Sequence, residues 1–173
     1  MIYSPSRLKC FENCPKQFEF KYIQKLKVKE KQSIEAFMGK VVHATLEKLF
    51  RDLQHTKQDS LDDLLAYYET VWKKDWEDEI VINKDFAAGH YFELGKKCVR
   101  NFFEQNHPFD QGKVIGIEQH VLLNLDNDDK YKLQGYIDLL KQTGKNQFQV
   151  HDYKTYSKLP EQSKIDEDQQ LAI

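Results

Sequence analysis

The chain has 173 residues, of which 40% are hydrophobic and 13% aromatic, and its net charge is −2. This composition predicts one domain with a substantial core, spanning residues 1–173, and excludes a disordered chain. No apolar run reaches transmembrane length and the N-terminus does not resemble a signal peptide, so we expect no membrane partner. The three cysteines lack the spacing of a disulfide framework, which favours a reducing, cytoplasmic location.

Residues 1–108 have the patterns of a mainly helical segment. Ser4 followed by Pro5 is typical of a helix start, with a capping side chain and then proline at the first helical position. Pro15 is expected to interrupt this helix. Three more helices are predicted, from the amphipathic run SIEAFMGKVVHATLEKLFRDL, from a capping box at residues 60–63, and from about residue 86 to residue 103.

Residues 113–173 change in character. The runs KVIGIEQHVLLNL, YKLQGYIDLLKQ and QFQVHDYK are rich in apolar and β-branched residues, and the polar turns DNDD and TGKN separate them. They predict an antiparallel three-strand meander, so the fold class is α+β. SKIDEDQQLAI predicts the start of another helix, inside which the chain stops. We therefore expect a fragment whose C-terminal core elements are truncated.

Charge is unevenly distributed along the chain. A basic strip extends from Lys21 to Lys31, whereas residues 59–80 are mainly acidic. A local basic strip can contact phosphate groups whatever the net charge of the whole chain. The alternative is that these lysines form an ordinary solvated surface. Taken alone, the basic strip favours this alternative.

Two aspartates and one lysine are candidates for chemistry. Asp138 lies on the second predicted strand and Asp152 near the end of the third, and adjacent antiparallel strands can bring two such carboxylates close together. Lys154 is on the same face as Asp152, because side chains alternate along a strand. Two carboxylates and a lysine around Mg²⁺ suit phosphodiester hydrolysis. The alternative is that Asp152 and Lys154 form only a surface ion pair. Taken alone, the D-x-K spacing favours this alternative, because such tripeptides often occur by chance.

His43 and Glu118 are further candidates. His43 lies at the edge of an apolar helical face, one turn after Gly39, and a glycine there costs about 1 kcal/mol relative to alanine. Such a cost is acceptable where space is needed, and an imidazole can bind a metal. A lone histidine on a helix is nevertheless more often packed or solvated. Glu118 either lines the same site from the first strand or faces solvent.

Five segments together resemble the PD-(D/E)XK nuclease superfamily, and within it the RecB-like branch that includes CRISPR-associated nucleases and AddB-type helicase–nuclease subunits. SPSRLKCFENCPKQFEFKYI resembles the N-terminal pattern of that branch, and GKVVHATLE resembles its GxxxH helix. GYIDLL resembles the strand with the first acidic residue, HDYKT the D-x-K core, and DQQLAI the start of the QxxxY helix. The resemblance covers nearly the whole chain and implies a restriction-endonuclease-like core.

The resemblance also implies roles for single residues. His43, Asp138, Asp152 and the Tyr153 carbonyl would bind Mg²⁺ or Mn²⁺, and Lys154 would be catalytic with Asp138 and Asp152. Glu118, Gln170 and Thr155 would line the site. Independently of the resemblance, the distribution of basic residues suggests that Lys21, Lys25, Lys27 and Lys158 contact the nucleic acid backbone. An iron–sulfur cluster, present in some members, cannot be completed here, because only Cys14 has a matching position.

The implied function is a metal-dependent deoxyribonuclease, expected to act as an exonuclease on single-stranded or frayed DNA in repair, recombination or defence, with a possible helicase or repair partner. The tyrosine of QxxxY would follow Ile173, so we expect weak activity from this chain. One alternative is a nuclease-like module that binds DNA or a helicase without cutting. Another is an interaction domain whose charges are only surface charges.

Overall fold

The computed structural model describes residues 2–27, 31–82, 86–155 and 161–166. They form two compact units, which we describe separately. The smaller unit contains residues 2–27, 120–136 and 161–166, and the larger contains residues 31–82, 86–119 and 137–155. The predicted α+β class is confirmed, and the described part is consistent with a restriction-endonuclease-like fold. In this part of the chain no helix is both long and apolar enough to cross a membrane.

Helices precede most of the strands in the sequence. The elements in chain order are β1 (Ile2–Tyr3), α1 (Pro5–Asn13), α2 (Pro15–Phe18), a π-helical turn (Glu19–Ile23), α3 (Ile34–Gln54), α4 (Leu61–Asp75), α5 (Ala88–Asn106), β2 (Lys113–Asn124), β3 (Lys132–Gly144), β4 (Gln147–His151) and α6 (Gln162–Asp166). Of the predicted QxxxY helix only α6 is described, so Gln170 lies outside the described residues, as does Lys158.

Local capping signals explain where several helices begin. Ser4 caps α1 by accepting a hydrogen bond from the Arg7 amide at 3.3 Å, as predicted. The predicted capping box of α4 is also present, because the side chains of Ser60 and Asp63 each accept the amide of the other. Pro15 interrupts the helix as expected, and the Cys14 thiol then accepts the Gln17 amide and caps α2.

Helices α3, α4 and α5 enclose the core of the larger unit. Along α3 the buried side chains recur at the three- and four-residue spacing of one helical face: Ile34, Phe37, Met38, Val41, Val42, Thr45, Leu46, Leu49 and Phe50. The buried face of α3 belongs to the same core cluster as Leu64 and Tyr68 of α4 and Val99 of α5. Gly95 permits the close approach of α5, since a Cβ there would lie only 2.0 Å from the Tyr68 hydroxyl. This core fixes α3, which carries His43.

Strand β3 is the centre of a four-stranded sheet. It is hydrogen-bonded to β1, β2 and β4, which confirms the predicted order of neighbours in the meander. β4 is antiparallel to β3, with Leu139 opposite His151. β1 pairs with β3 in parallel, Ile2 opposite Lys132, and was not predicted because two residues are too short for a periodic signal.

The third predicted strand is longer than the observed strand β4. It was expected to extend through Lys154, but β4 ends at His151. The physical reason lies in the next backbone groups. The Tyr153 amide donates to the Asp138 carboxylate and the Tyr153 carbonyl contacts His43, so neither group is paired in the ladder.

Candidate active site

His43 projects from α3 towards the end of β4. Its Nε2 lies 2.8 Å from the Tyr153 carbonyl oxygen, and its Nδ1 lies 3.5 Å from Oδ2 of Asp138. A carbonyl oxygen only accepts, so Nε2 carries the hydrogen in this contact. In a neutral ring the lone pair of Nδ1 would then face a carboxylate oxygen, which is unfavourable. A cation that His43 and Asp138 shared would remove that repulsion.

Asp138 is held in place by the backbone of the segment that follows β4. Its Oδ2 accepts the Tyr153 amide at 2.7 Å, and only 11% of the Asp138 side chain is exposed. Leu139 lies opposite His151 in the last antiparallel pair, and Asp138 and Asp152 are the next residues beyond this pair on the two chain segments. The sequence predicted Asp152 near the end of the third strand, and this residue directly follows β4.

Tyr153 anchors the D-Y-K segment to the core. Its ring is buried against Phe102 and His43, with centroid distances of 5.4 and 5.6 Å. Burial, and then the charges of Asp138 and Glu118, raise the pKa of this phenol, so it stays neutral. The buried ring fixes the Tyr153 amide and carbonyl, which contact Asp138 and His43.

Asp152 and Lys154 flank this anchor and contact each other. The distance from Lys154 Nζ to Asp152 Oδ2 is 2.5 Å, and 37% and 19% of the two side chains are exposed. The predicted contact is therefore present. It is compatible with both interpretations of D-x-K, a surface ion pair and a pair that shares a ligand.

Glu118 joins the site through an unusual backbone conformation. Its φ is +47°, the left-handed region that side chains other than glycine seldom adopt. The usual alternation of β2 is broken here, and Ile117 and Glu118 are both half-buried. Burial, followed by the charges of Asp138 and Glu47, raises the pKa of the Glu118 carboxyl. Backbone strain of this kind is typically retained where the surrounding structure requires it.

Three of these side chains form a compact group of possible metal ligands. One ligand atom each from His43, Glu118 and Asp138 lies within 4.8 Å of the others. Carboxylate oxygen donors suit Mn²⁺ and Mg²⁺, an imidazole nitrogen can also bind a metal ion, and two close, partly buried carboxylates favour a cation between them. The donor set thus fits a divalent ion. Among the described residues Asp152 is not a member of this group.

An open cleft of about 560 Å³ adjoins the group along α3. His43 and Glu118 line it, together with Ala36, Gly39, Lys40, Ala44 and Glu47. A Cβ on Gly39 would lie 3.3 Å from the Thr155 hydroxyl, so the missing side chain makes room for the segment after Lys154. Our sequence reasoning missed Glu47, although it follows His43 by four residues and hence lies on the same helical face.

The other predicted residues are not part of this group. Thr155 contacts the helix at Gly39, as described above. Lys21, Lys25 and Lys27 belong to the smaller unit, where their side chains are exposed. Lys158 and Gln170 lie outside the described residues, so their predicted roles have no structural description.

Comparison with known proteins identifies one family. The sequence profile of the PD-(D/E)XK nuclease superfamily matches residues 2–173, nearly the whole chain. No curated protein matches the chain significantly.

Proposed function

Because the chain belongs to the PD-(D/E)XK nuclease superfamily, whose members are typically nucleases, we propose that it is a metal-dependent deoxyribonuclease. The observation that carries the proposal is the group of His43, Glu118 and Asp138, with ligand atoms within 4.8 Å of one another. These residues would hold the cation, Mg²⁺ or Mn²⁺, with Asp152 and the Tyr153 carbonyl as the further predicted ligands. When bound, the cation polarises the scissile phosphate and lowers the pKa of water.

The residues of the chain then have separate tasks. Asp138 is oriented by the Tyr153 amide at 2.7 Å, and its carboxylate would bind the cation from this orientation. His43 is held by the Tyr153 carbonyl at 2.8 Å, so the buried tyrosine positions both ligands. Second partners of this kind keep ligands in the productive orientation.

Lys154 is the proposed catalytic lysine. Its ammonium lies 2.5 Å from Asp152, so the carboxylate holds it in place. In hydrolysis a water oxygen bonds to phosphorus, the P–O ester bond breaks, and the departing oxygen takes up a proton. The negative charge that develops on the phosphate oxygens is stabilised by a positive group at this position. Lys154 therefore orients the water and offsets the charge of the transition state.

Lys154→Ala tests the proposal directly. We expect the purified wild-type chain to cleave labelled DNA weakly with Mn²⁺ or Mg²⁺ and to lose this activity in EDTA. Lys154→Ala should abolish cleavage while binding DNA with nearly unchanged Kd, since the lysine acts mainly in the transition state. Lys96→Ala is the matched control, because Lys96 also forms a half-exposed ion pair, with Glu69 at 2.8 Å. Cleavage by Lys154→Ala at the wild-type rate would remove this residue from the mechanism.

Finer aspects of the proposal rest on the sequence motifs. We place the chain in the RecB-like branch on the basis of SPSRLKCFENCP and GKVVH, and assign it exonuclease action on single-stranded or frayed DNA in repair, recombination or defence. A helicase or repair protein is the proposed partner. Time courses on linear and circular single-stranded substrates test the exonuclease assignment, because only an enzyme that requires ends leaves the circle intact.

A further inference from the structure

The N-terminal segment differs in charge from the rest of the chain. Residues 2–27 contain six lysines or arginines and two glutamates, a net charge of +4, although the whole chain has a net charge of −2. The remaining residues therefore carry an excess of negative charge. A positive segment on such a chain attracts polyanions locally.

Arg7 organises the packing of this segment. Its guanidinium lies 5.2, 5.4 and 5.1 Å from the ring centroids of Tyr3, Phe18 and Tyr22. It also donates a hydrogen bond to the Ile2 carbonyl at 2.8 Å. The rings of Phe18 and Tyr22 therefore pack against Arg7 of α1. The aromatic residue between them in the sequence, Phe20, points elsewhere.

Phe20 is exposed and lies beside one lysine side chain. Its side chain is 41% exposed, and the neighbouring Ile23 is 62% exposed. The ammonium of Lys16 lies 4.8 Å from the centroid of the Phe20 ring. Lys16 also pairs with Glu19 at 2.8 Å, but the two side chains are 63% and 41% exposed, so water and a phosphate can compete for this contact.

We propose that Phe20 and the lysines near it in sequence, Lys16, Lys21 and Lys25, bind an unpaired nucleic acid strand. The inference rests on the proposed nuclease function and adds a binding site for its substrate. An exposed ring offers a face on which a base can stack, and lysines on either side of it in the chain contact the phosphates. Paired bases are already stacked on both faces, so this surface selects unpaired strands.

Charge complementarity decides the occupant. An apolar protein surface would not need the net charge of +4 that residues 2–27 carry. A bare phosphate would need no ring. A single strand uses both features, because every nucleotide supplies one stacking face and one negative charge.

Phe20→Leu is the test, measured in the Lys154→Ala background so that binding is not confused with cleavage. Leucine keeps an apolar side chain of similar length but removes the stacking face. We expect Kd for a fluorescent oligothymidine to rise about tenfold, the value for one base stacked on one ring. Phe20→Trp should bind at least as tightly as the parent, and Kd for a blunt duplex should not change.

Phe148→Leu is the matched control, because Phe148 is a comparably exposed phenylalanine, 59% exposed, on β4. Thermal unfolding of each variant reports on the fold, and Phe20→Trp keeps an aromatic ring if leucine destabilises the segment. Lys25→Gln should reduce the slope of log K against log salt by about 0.7. Equal Kd for Phe20→Leu and the parent, or an equal loss in Phe148→Leu, would overturn the inference.

The outcomes separate the two proposals. Cleavage by the wild-type chain together with Phe20-independent binding refutes the stacking site and leaves the nuclease function intact. Phe20-dependent binding without cleavage under any divalent ion supports the stacking site and refutes the nuclease function.

Discussion

Asp138 offers a test that separates metal binding from folding. The carboxylate has two tasks in our interpretation, since it accepts the Tyr153 amide at 2.7 Å and supplies negative charge to a cation. Asp138→Asn keeps an oxygen that can accept the amide but removes the charge. Asp138→Ala removes both. The two variants should therefore differ in stability without metal but agree in their loss of metal response.

The magnitudes follow from the contacts. In Asp138→Ala the amide of the buried Tyr153 loses its acceptor, which costs about 1–3 kcal/mol, so this variant should be less stable than Asp138→Asn by that amount. At a metal concentration about 100 times Kd, the wild-type chain gains about 2.7 kcal/mol. For a chain of this length that corresponds to a rise in Tm of about 5–10 °C. Neither variant should show this rise.

Thermal unfolding in Mn²⁺ and in EDTA measures both effects, and cleavage of labelled DNA is followed in parallel. Asp63→Asn is the control, because Asp63 also accepts a backbone amide, that of Ser60 at 2.9 Å, but belongs to the cap of α4. It should lose some stability and keep the full metal response. A metal-dependent rise in Tm that persists in Asp138→Asn would refute the assignment of Asp138 as a ligand.

Two further predictions concern the same site. Burial raises the pKa of Glu118, so the ionised carboxylate is disfavoured in the folded chain. The protonated carboxyl therefore favours folding below the pKa of the unfolded chain. This contribution is lost as the pH rises through the pKa of the folded chain. In EDTA, Glu118→Gln should thus be more stable than wild type at pH 8 but not at pH 4 in urea titrations, and an equal difference at both pH values would contradict this. Gly39→Ala adds a Cβ 3.3 Å from the Thr155 hydroxyl, so the gain of about 1 kcal/mol in helix propensity is offset and stability should change by less than about 1 kcal/mol. The kcat of Gly39→Ala should nevertheless fall by up to about tenfold, because a displaced Thr155 would also displace the neighbouring Lys154. An unchanged kcat would show that the space beside Gly39 is not needed for catalysis.

Local signals made much of the fold predictable. The caps at Ser4 and Ser60 act over three residues, and the buried positions of α3 follow a helical period, so the sequence alone located these helices. The sequence also predicted the contact between Asp152 and Lys154, which lie two residues apart, although both follow the end of β4. In each case the interacting groups are close in sequence, where backbone geometry restricts their positions.

Only the tertiary structure decided how the site is built. The contact between His43 and the Tyr153 carbonyl joins residues 110 positions apart, and it forms because the packing of α3 against the core places them together. Glu118 enters the group through a left-handed backbone conformation, which a period-two pattern cannot express. β4 ends at His151 because the backbone of Tyr153 pairs with Asp138 and His43 instead of a strand. Such choices depend on the free energy of contacts between distant segments, which local propensity does not encode.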